Sequence, residues 1–320
     1  MATRPLTSVR ALVATVALAG LLAGCGVRLE TEAPAPLTPD ATESARQRGS
    51  ADALSLEVLA SDPAADPANP ATAVRATVAA HAGEHLLALG GVYADSAASP
   101  SPSSTATTDP APGEVAAAST DAVVTQLTQS AANARADAET VPDGALARLL
   151  ASIAAERLLL ARQLAGAATP AVPELPGLVA PDQAPAGVPA SALSALVAAE
   201  DEAAYGYEVI AAKQSETMRA NALARAAVHR SRAQDWAVAA GISRTGLDPR
   251  RTAYALPAGL EDPATAATLA QTMEQSLAAT YAALVASADP DARTPLIDAL
   301  AEATNEAATW GAPTPPFPGL

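Results

Sequence analysis

Apolar side chains recur at three- and four-residue steps along most of the chain after residue 40. Steps of this size place side chains on one face of an α-helix, so the pattern predicts a series of amphipathic helices. The predicted helices cover residues 40–60, 70–91, 115–139 and 144–166 in the first half, and 189–215, 217–240, 263–288 and 291–310 in the second. Four amphipathic helices can bury one another's apolar faces, so we predict an all-α fold of two tandem four-helix bundles.

Local sequence signals mark several helix ends. Gly241 follows the second helix of the second half, and glycine readily ends a helix. Asp262 followed by Pro263 is typical of a helix start, and the pair at residues 289–290 separates the last two helices.

Proline-rich and low-complexity segments divide the chain. We predict a flexible tether at residues 25–39, a disordered loop at 95–114, a linker at 169–188 and a tail at 311–320. The first bundle then covers residues 40–168, and the second covers residues 189–310.

The start of the chain has the parts of an export signal. Arg4 and Arg10 precede the apolar stretch ALVATVALAGLL, which is too short to span a bilayer, and small residues then lead to Cys25. The sequence LAGC, which ends at Cys25, resembles the lipobox of bacterial lipoproteins. The resemblance implies that residues 1–24 are a signal peptide and that a lipid on Cys25 anchors the protein to the extracytoplasmic face of the membrane. An ordinary secretory signal with a chance cysteine is the alternative.

The composition supports helices and limits the partners. Hydrophobic residues make up 50% of the chain and aromatic residues only 2%, so alanine dominates, and alanine favours helices. Cys25 is the only cysteine, so no disulfide supports the fold. The formal charge of −15 becomes −17 when residues 1–24, which carry two arginines, are removed. A protein with this negative charge repels nucleic acid, so we expect no nucleic-acid partner.

One ionisable residue lies on the apolar stripe of each helix in the second bundle. These residues are Glu200, His229, Glu274 and Glu306. Each is three or four residues from small or apolar neighbours on the same stripe, as His229 is from Ala226 and Ala233. We therefore expect these four side chains to point into the bundle.

Four segments of this bundle, AAEDEAAYGYE, AVHRSRAQDW, TMEQSLAATY and ALAEATNEAATW, together with AYALP at residues 253–257, resemble the ferritin-like superfamily. More narrowly, residues 189–310 are similar to an uncharacterised ferritin-like domain of actinobacterial lipoproteins. Metal-binding members carry a glutamate on each of two helices and a Glu-x-x-His pair on each of the other two. Ala226 and Thr309 stand where one glutamate and one histidine would be, which argues against a bridged di-iron centre.

Two interpretations of the four stripe residues stay open. One is a single divalent ion, Fe, Mn or Zn, bound by all four side chains. The other is a polar network without a cofactor, in which the four residues pair with each other or with Arg230, Arg232 and Arg293. A buried carboxylate without a partner costs several kcal/mol, so some partner is required.

The first bundle has a weaker candidate site in the segment HAGEH. His81 and His85 are four residues apart and so share one helical face, a spacing that suits two imidazoles on one ion. The zinc-protease motif has a glutamate directly after its first histidine, which this segment lacks. The alternative is a pair of partly buried histidines that contact neighbours such as Glu84 or Glu156.

The motifs favour a binding protein over an enzyme. The sequence has no glycine-rich phosphate loop, no Ser-His-Asp order and no candidate nucleophile beyond Cys25. We therefore expect a non-catalytic envelope lipoprotein that binds a partner protein or a small ligand outside the cytoplasm. The alternative is a metal-binding or redox protein with a reduced ferritin-like site. A solute-binding role beside a transporter is a third, weaker hypothesis.

Overall fold

In the computed structural model, residues 38–61, 66, 68–92, 118–168, 170–179 and 181–320 are described. All regular secondary structure in these residues is helical, which confirms the predicted all-α class. The helices are α1 (Ala41–Ala60), α2 (Pro70–Ala88), α3 (Thr120–Thr140), α4 (Gly144–Ala167), α5 (Ala190–Lys213), α6 (Glu216–Ala239), α7 (Pro263–Ser287) and α8 (Thr294–Thr309). Of these eight described helices, none combines the length and the apolar character that crossing a membrane requires. The predicted signal peptide, Cys25 and the loop at 95–114 lie outside the described residues.

Several helices begin where a side chain satisfies a free backbone N–H group. Asp40, Ser119, Asp143 and Asp262 each accept a hydrogen bond from the backbone N–H three residues further on. Each of these residues has extended backbone angles, as helix N-caps do. Ser119 thereby sets the start of α3 at Thr120, later than the apolar pattern alone predicts.

Consecutive helices pack as pairs: α1 with α2, α3 with α4, α5 with α6, and α7 with α8. Contacts of α1 with α3 and of α2 with α4 join the two pairs of the first half. Contacts of α5 with α7 join the two pairs of the second half. This paired packing is that of helical bundles.

The two sets of four helices share one core. Residues 40–320 form a single compact unit, in which α4 packs against both α7 and α8. Leu150 and Ile153 of α4 belong to the same apolar cluster as Leu284 and Leu296 of the second set. Packing across the two sets therefore buries apolar surface that either set would expose alone.

The proline-rich segment between α4 and α5 is held against the second set of helices. Ala184 N donates to Ala239 O over 3.1 Å, and Asp289 N donates to Ala186 O over 2.8 Å. Gly187 has a φ of 82°, and a Cβ at this position would lie 2.7 Å from Asp289 N. Only glycine fits this close approach of the segment to the α7–α8 turn.

The last eight residues, which we call the C-terminal strap (residues 313–320), return to the first set of helices. Three strap carbonyls accept hydrogen bonds from side chains of α2 and α4. His85 Nε2 donates to Pro316 O (2.7 Å), Ser152 Oγ to Pro318 O (2.8 Å) and Arg148 Nη2 to Gly319 O (2.9 Å). The ring of Phe317 packs edge-on against His85, with centroids 5.1 Å apart. The predicted tail is thus an ordered link between the two sets.

Candidate functional site

Glu200, His229 and Glu274 meet in the interior of the second set of helices. They come from α5, α6 and α7, respectively, and each side chain is fully buried. Each lies on the apolar stripe of its helix, as the sequence spacing predicts, so the packing of the three stripes brings the ionisable groups together.

His229 lies between the two carboxylates. Its Nδ1 is 2.6 Å from Glu200 Oε2, and its Nε2 is 3.0 Å from Glu274 Oε1. An ionised carboxylate can only accept hydrogen bonds, so both ring nitrogens donate and the ring is an imidazolium. Burial alone would lower the pKa of His229, but the charge of Glu200 and the hydrogen bonds to both carboxylates raise it. The ring also stacks on Tyr207, with centroids 5.4 Å apart.

Arg225 holds Glu274 by a bidentate ion pair. Its Nε donates to Glu274 Oε1 over 2.6 Å, and its Nη2 donates to Glu274 Oε2 over 2.7 Å. Burial alone would raise the pKa of Glu274, but His229 and Arg225 outweigh it and lower the pKa to about 2. Glu274 therefore stays ionised although it is fully buried.

Two tyrosines complete the hydrogen bonds of these carboxylates. Tyr207 Oη donates to Glu274 Oε1 over 2.7 Å, and Tyr281 Oη donates to Glu200 Oε1. Trp236 Nε1 in turn donates to Tyr281 Oη over 3.3 Å. Burial raises the pKa of both tyrosines, so they remain hydrogen-bond donors.

Arg225 and Arg232 extend the cluster to Glu302 on α8. Arg225 donates to both carboxylate oxygens of Glu302, and Arg232 Nη1 lies 2.9 Å from Glu302 Oε2. We call the whole cluster the ion network; it consists of Glu200, Arg225, His229, Arg232, Glu274 and Glu302. It contains as many cations as carboxylates, so its charges balance.

Sequence reasoning missed two members of the ion network. Arg225 precedes His229 by four residues, and Glu302 precedes Glu306 by the same step. Residues four apart share a helix face, so this spacing could have identified both. Of the three arginines named as candidate partners, Arg232 joins the network.

The other two proposed arginines bind elsewhere. Arg230 pairs with Glu208 on the surface. Arg293 is buried and donates to the backbone carbonyls of Ala288, Ala138 and Val141, which joins the second set of helices to the end of α3.

Glu306 is close to the ion network but does not join it. Trp310 Nε1 donates to Glu306 Oε1 over 3.0 Å, and burial raises the pKa of Glu306. Among the described residues, no hydrogen bond connects Glu306 with Glu200, His229 or Glu274. The structure therefore brings together three of the four stripe residues.

These side chains do not fit the metal that the ferritin-like resemblance implies. A histidine ligand needs a free ring nitrogen, but both nitrogens of His229 face carboxylates at hydrogen-bond distance. The carboxylate of Glu274 is occupied by Arg225 and Tyr207. Within the described ranges, no group of three or more His, Cys, Asp or Glu side chains is arranged to hold a metal ion.

A cavity of about 480 Å³ opens beside the ion network. We call it the network cavity. The network contributes Arg232 and Glu302 to its wall, and Trp236 and Tyr281 lie next to them. The apolar part of the lining consists of Leu178, Val179, Pro181, Val228, Pro295 and Ala299, and the remaining polar residues are Ser231 and Asp235.

Comparison with known proteins identifies the part of the chain that holds the ion network. Residues 192–320 match the family described as "Domain of unknown function (DUF4439)". This part of the chain is a DUF4439 domain, which is uncharacterised. No curated protein and no solved structure matches the chain. The DUF4439 domain contains the whole ion network and the C-terminal strap, whereas the first set of helices precedes it.

The histidine pair of the first set lies outside the DUF4439 domain and does not form a shared site. His81 Nδ1 is 2.7 Å from Glu156 Oε1, one of the two partners proposed from the sequence. His85 instead donates to the strap carbonyl of Pro316, and its Nε2 is 3.9 Å from Glu156 Oε2. Burial and the charge of Arg157 lower the pKa of His85 to about 3, so its ring is neutral. The two histidines thus form hydrogen bonds with different groups, although both lie beside Glu156.

Proposed function

We propose that this chain is a non-catalytic, lipid-anchored protein of the cell envelope that binds a small ligand in the network cavity. Its DUF4439 domain would be a ferritin-like bundle that has exchanged metal chemistry for a fixed ion network. The observation that carries the binding role is the cavity of about 480 Å³ with the ion network in its wall.

The lining of the network cavity suits ligand binding. Small-molecule sites are mostly apolar clefts of roughly 300–1,000 Å³ with a few fixed polar groups. Here Val228 and Trp236 supply apolar surface, while Arg232 and Glu302 are held by their mutual contact. Because the ion network fixes these groups before a ligand arrives, binding loses little side-chain entropy.

The same network argues for binding over catalysis. A general acid or base must reach the substrate proton within hydrogen-bond distance. Glu200, His229 and Glu274 have no exposed surface, and their polar atoms are engaged with one another, with Arg225 and with the two tyrosines. They are therefore supports for the cavity wall.

The anchor is proposed from the sequence around Cys25. Metabolic labelling with palmitate should tag the wild-type protein and place it in the membrane fraction. A Cys25→Ser variant, which keeps the rest of the leader, should lose both the label and the membrane association. Label that persists in Cys25→Ser, or unlabelled wild-type protein in the cytosol, would contradict the anchor.

Ligand binding is tested by co-purification from the native envelope followed by mass spectrometry of released small molecules. Val228→Trp should fill the cavity mouth, because Val228 is part of the lining and lies partly exposed on α6. Val238→Trp adds the same bulk on the same helix at an exposed position outside the lining. A compound should accompany the wild type and Val238→Trp but not Val228→Trp. If all three preparations release the same compounds, the binding role is wrong.

Elemental analysis tests the competing metal-binding or redox function. Protein purified without chelators should contain no stoichiometric iron, manganese or zinc, because His229 and Glu274 already engage each other and Glu274 is also paired with Arg225. Stoichiometric metal that disappears in the Glu200→Ala, His229→Ala double variant would favour the competing function instead.

A further inference from the structure

We propose that the network cavity recognises a small zwitterion with an apolar body, such as an apolar α-amino acid or its short peptide. In this proposal Arg232 pairs with the ligand carboxylate and Asp235 pairs with its ammonium group. The inference rests on the proposed binding function and specifies the chemistry of the ligand.

Arg232 has hydrogen-bond donors to spare. Its side chain is 11% exposed, and among the described residues its one ion pair is with Glu302. That contact is close, at 2.9 Å, but Nη1 is not aligned for a hydrogen bond. Glu302 already receives two hydrogen bonds from Arg225. The planar guanidinium of Arg232 therefore remains available for a carboxylate at the cavity wall.

Asp235 has acceptor capacity to spare on the same wall. It follows Arg232 by three residues on α6, so the two side chains lie on one face of the helix. Within the described part of the chain, the one side-chain hydrogen bond to Asp235 is a long one of 3.4 Å from Ser231 Oγ, and no cationic group forms an ion pair with it. An ammonium group next to a carboxylate would satisfy Asp235 and Arg232 together.

The local charge favours a ligand that is neutral overall. The positive and negative charges of the ion network balance, and Arg232 and Glu302 belong to it. Asp235 therefore adds one negative charge to the lining that the network does not compensate. A simple anion would face Asp235, Glu302 and a protein surface with many excess acids. A simple cation would displace water from Arg232 without replacing its hydrogen bonds, which costs affinity. A zwitterion avoids both costs.

The remaining lining suits an apolar body. Trp236 presents a nearly buried aromatic ring, and Val228 and Ala299 complete the helical part of the apolar wall. Leu178 and Val179 of the proline-rich segment line the same cavity, although both are exposed. A bound apolar side chain would cover them and remove apolar surface from water.

Titration calorimetry on the full-length protein tests the charge requirement with three probes that share one apolar body. These are L-phenylalanine, 2-phenylethylamine, which lacks the carboxylate, and 3-phenylpropionate, which lacks the amine. L-phenylalanine should bind at least about tenfold more tightly than either partial probe, since each lost ion pair is worth about 1.4 kcal/mol or more. L-leucine should also bind, because the proposal requires an apolar body and no particular ring.

Two variants assign the charges to residues. Asp235→Asn should abolish the advantage of L-phenylalanine over 3-phenylpropionate. Arg232→Lys, which keeps the positive charge but loses the planar pair of donors, should reduce its advantage over 2-phenylethylamine. Glu202→Gln removes an exposed charge from α5 outside the network cavity and should change neither preference. Asp235 is outside the ion network, so Asp235→Asn tests the inference even if Arg232→Lys fails to fold.

Several results would overturn the inference. Equal affinity for L-phenylalanine and one partial probe, or unchanged preferences in Asp235→Asn, would show that the zwitterion is not recognised. Failure of both amino acids to bind below about 1 mM would do the same. If a compound still co-purifies with the wild type but not with Val228→Trp, the binding function stands and only the ligand class is wrong.

Discussion

His229 and its neighbours show how single residues keep Glu200 and Glu274 ionised at the centre of an alanine-rich bundle. Isolated buried carboxylates cost several kcal/mol each, because water no longer solvates them. Here one imidazolium and two guanidinium groups balance Glu200, Glu274 and Glu302. Because every partner depends on the others, removal of one should leave an uncompensated charge in the interior.

Arg225→Met is the most direct test of this dependence. Methionine keeps the approximate bulk but leaves Glu274 without its bidentate partner, so we expect a loss of about 3–5 kcal/mol in the free energy of unfolding. Urea unfolding followed by circular dichroism measures it. Arg230→Met removes the exposed pair with Glu208 and should cost less than about 1 kcal/mol. A loss in Arg225→Met no larger than in Arg230→Met would contradict the role of the network.

Glu274 should make the free energy of unfolding depend on pH in the acidic range. Its pKa is lowered from 4.5 to about 2 in the folded protein, so the unfolded chain takes up this proton first as the pH falls. The stabilisation is present above pH 4.5 and lost towards pH 2, and it amounts to roughly 3 kcal/mol. Urea unfolding between pH 6 and pH 2 should show a steeper loss for the wild type than for Glu274→Gln. Parallel pH profiles of the two proteins would contradict this.

The contribution of His229 to stability depends on pH in the opposite direction. Its pKa is raised in the folded protein, so its contribution is complete below the ordinary pKa of 6.5 and is lost as the pH rises through the folded value. When the ring loses a proton, one of its nitrogens faces the carboxylate of Glu200 or Glu274 without a hydrogen between them.

At the scale of elements, α6 is the helix that organises the candidate site. Arg225, His229, Arg232 and Asp235 follow one another at steps of four, three and three residues. These steps place them along one face, which reaches from the buried network to the wall of the cavity. Helices α5 and α7 supply the carboxylates that fix this face.

The C-terminal strap is the second element whose position has consequences. Phe317→Ala removes the ring that packs on His85 while leaving the strap backbone intact, so we expect a loss of about 1–3 kcal/mol. Hydrogen exchange should increase in α2 around His85, because the strap covers this turn. Leu320→Ala, at an exposed position, should change stability by less than about 0.5 kcal/mol. Unchanged exchange in α2 would show that the strap does not stabilise the first set.

At the scale of the molecule, the two sets of helices form one body although only the second set belongs to the DUF4439 domain. Links that cross between the sets include the shared apolar cluster, the strap, the ion pair of Arg135 with Asp298 and the hydrogen bonds of Arg293 to the end of α3. The matched domain therefore completes its core with helices that precede it.

Residues 189–320 expressed alone should lack a rigid core. Without α4, the apolar faces of α7 and α8 that contact it are exposed to water. We expect binding of a hydrophobic dye and a broad thermal transition, whereas residues 40–320 should melt in one sharp step. A sharp transition of the short fragment at the temperature of the longer one would contradict a shared core.

The sequence by itself determined the local structure. Apolar periodicity and local signals such as Asp262 and Gly241 located the helices, because these signals act between residues a few positions apart. The same periodicity put Glu200, His229 and Glu274 on inward faces, since burial follows from position on the stripe. The polar-network interpretation of these residues also names Arg232, which joins the ion network through Glu302.

Only the tertiary structure decided which groups meet. It assigned Arg225 to Glu274, paired Arg135 with Asp298, and brought Pro316 to His85 across 231 positions of the chain. Such pairings depend on how whole helices pack, and alanine-rich stripes are compatible with many packings because their small side chains specify few contacts. Which face of a helix is apolar depends on residues within a few turns of one another, so the sequence determines it locally. Which other helix covers that face is selected by the lowest free energy of the complete fold.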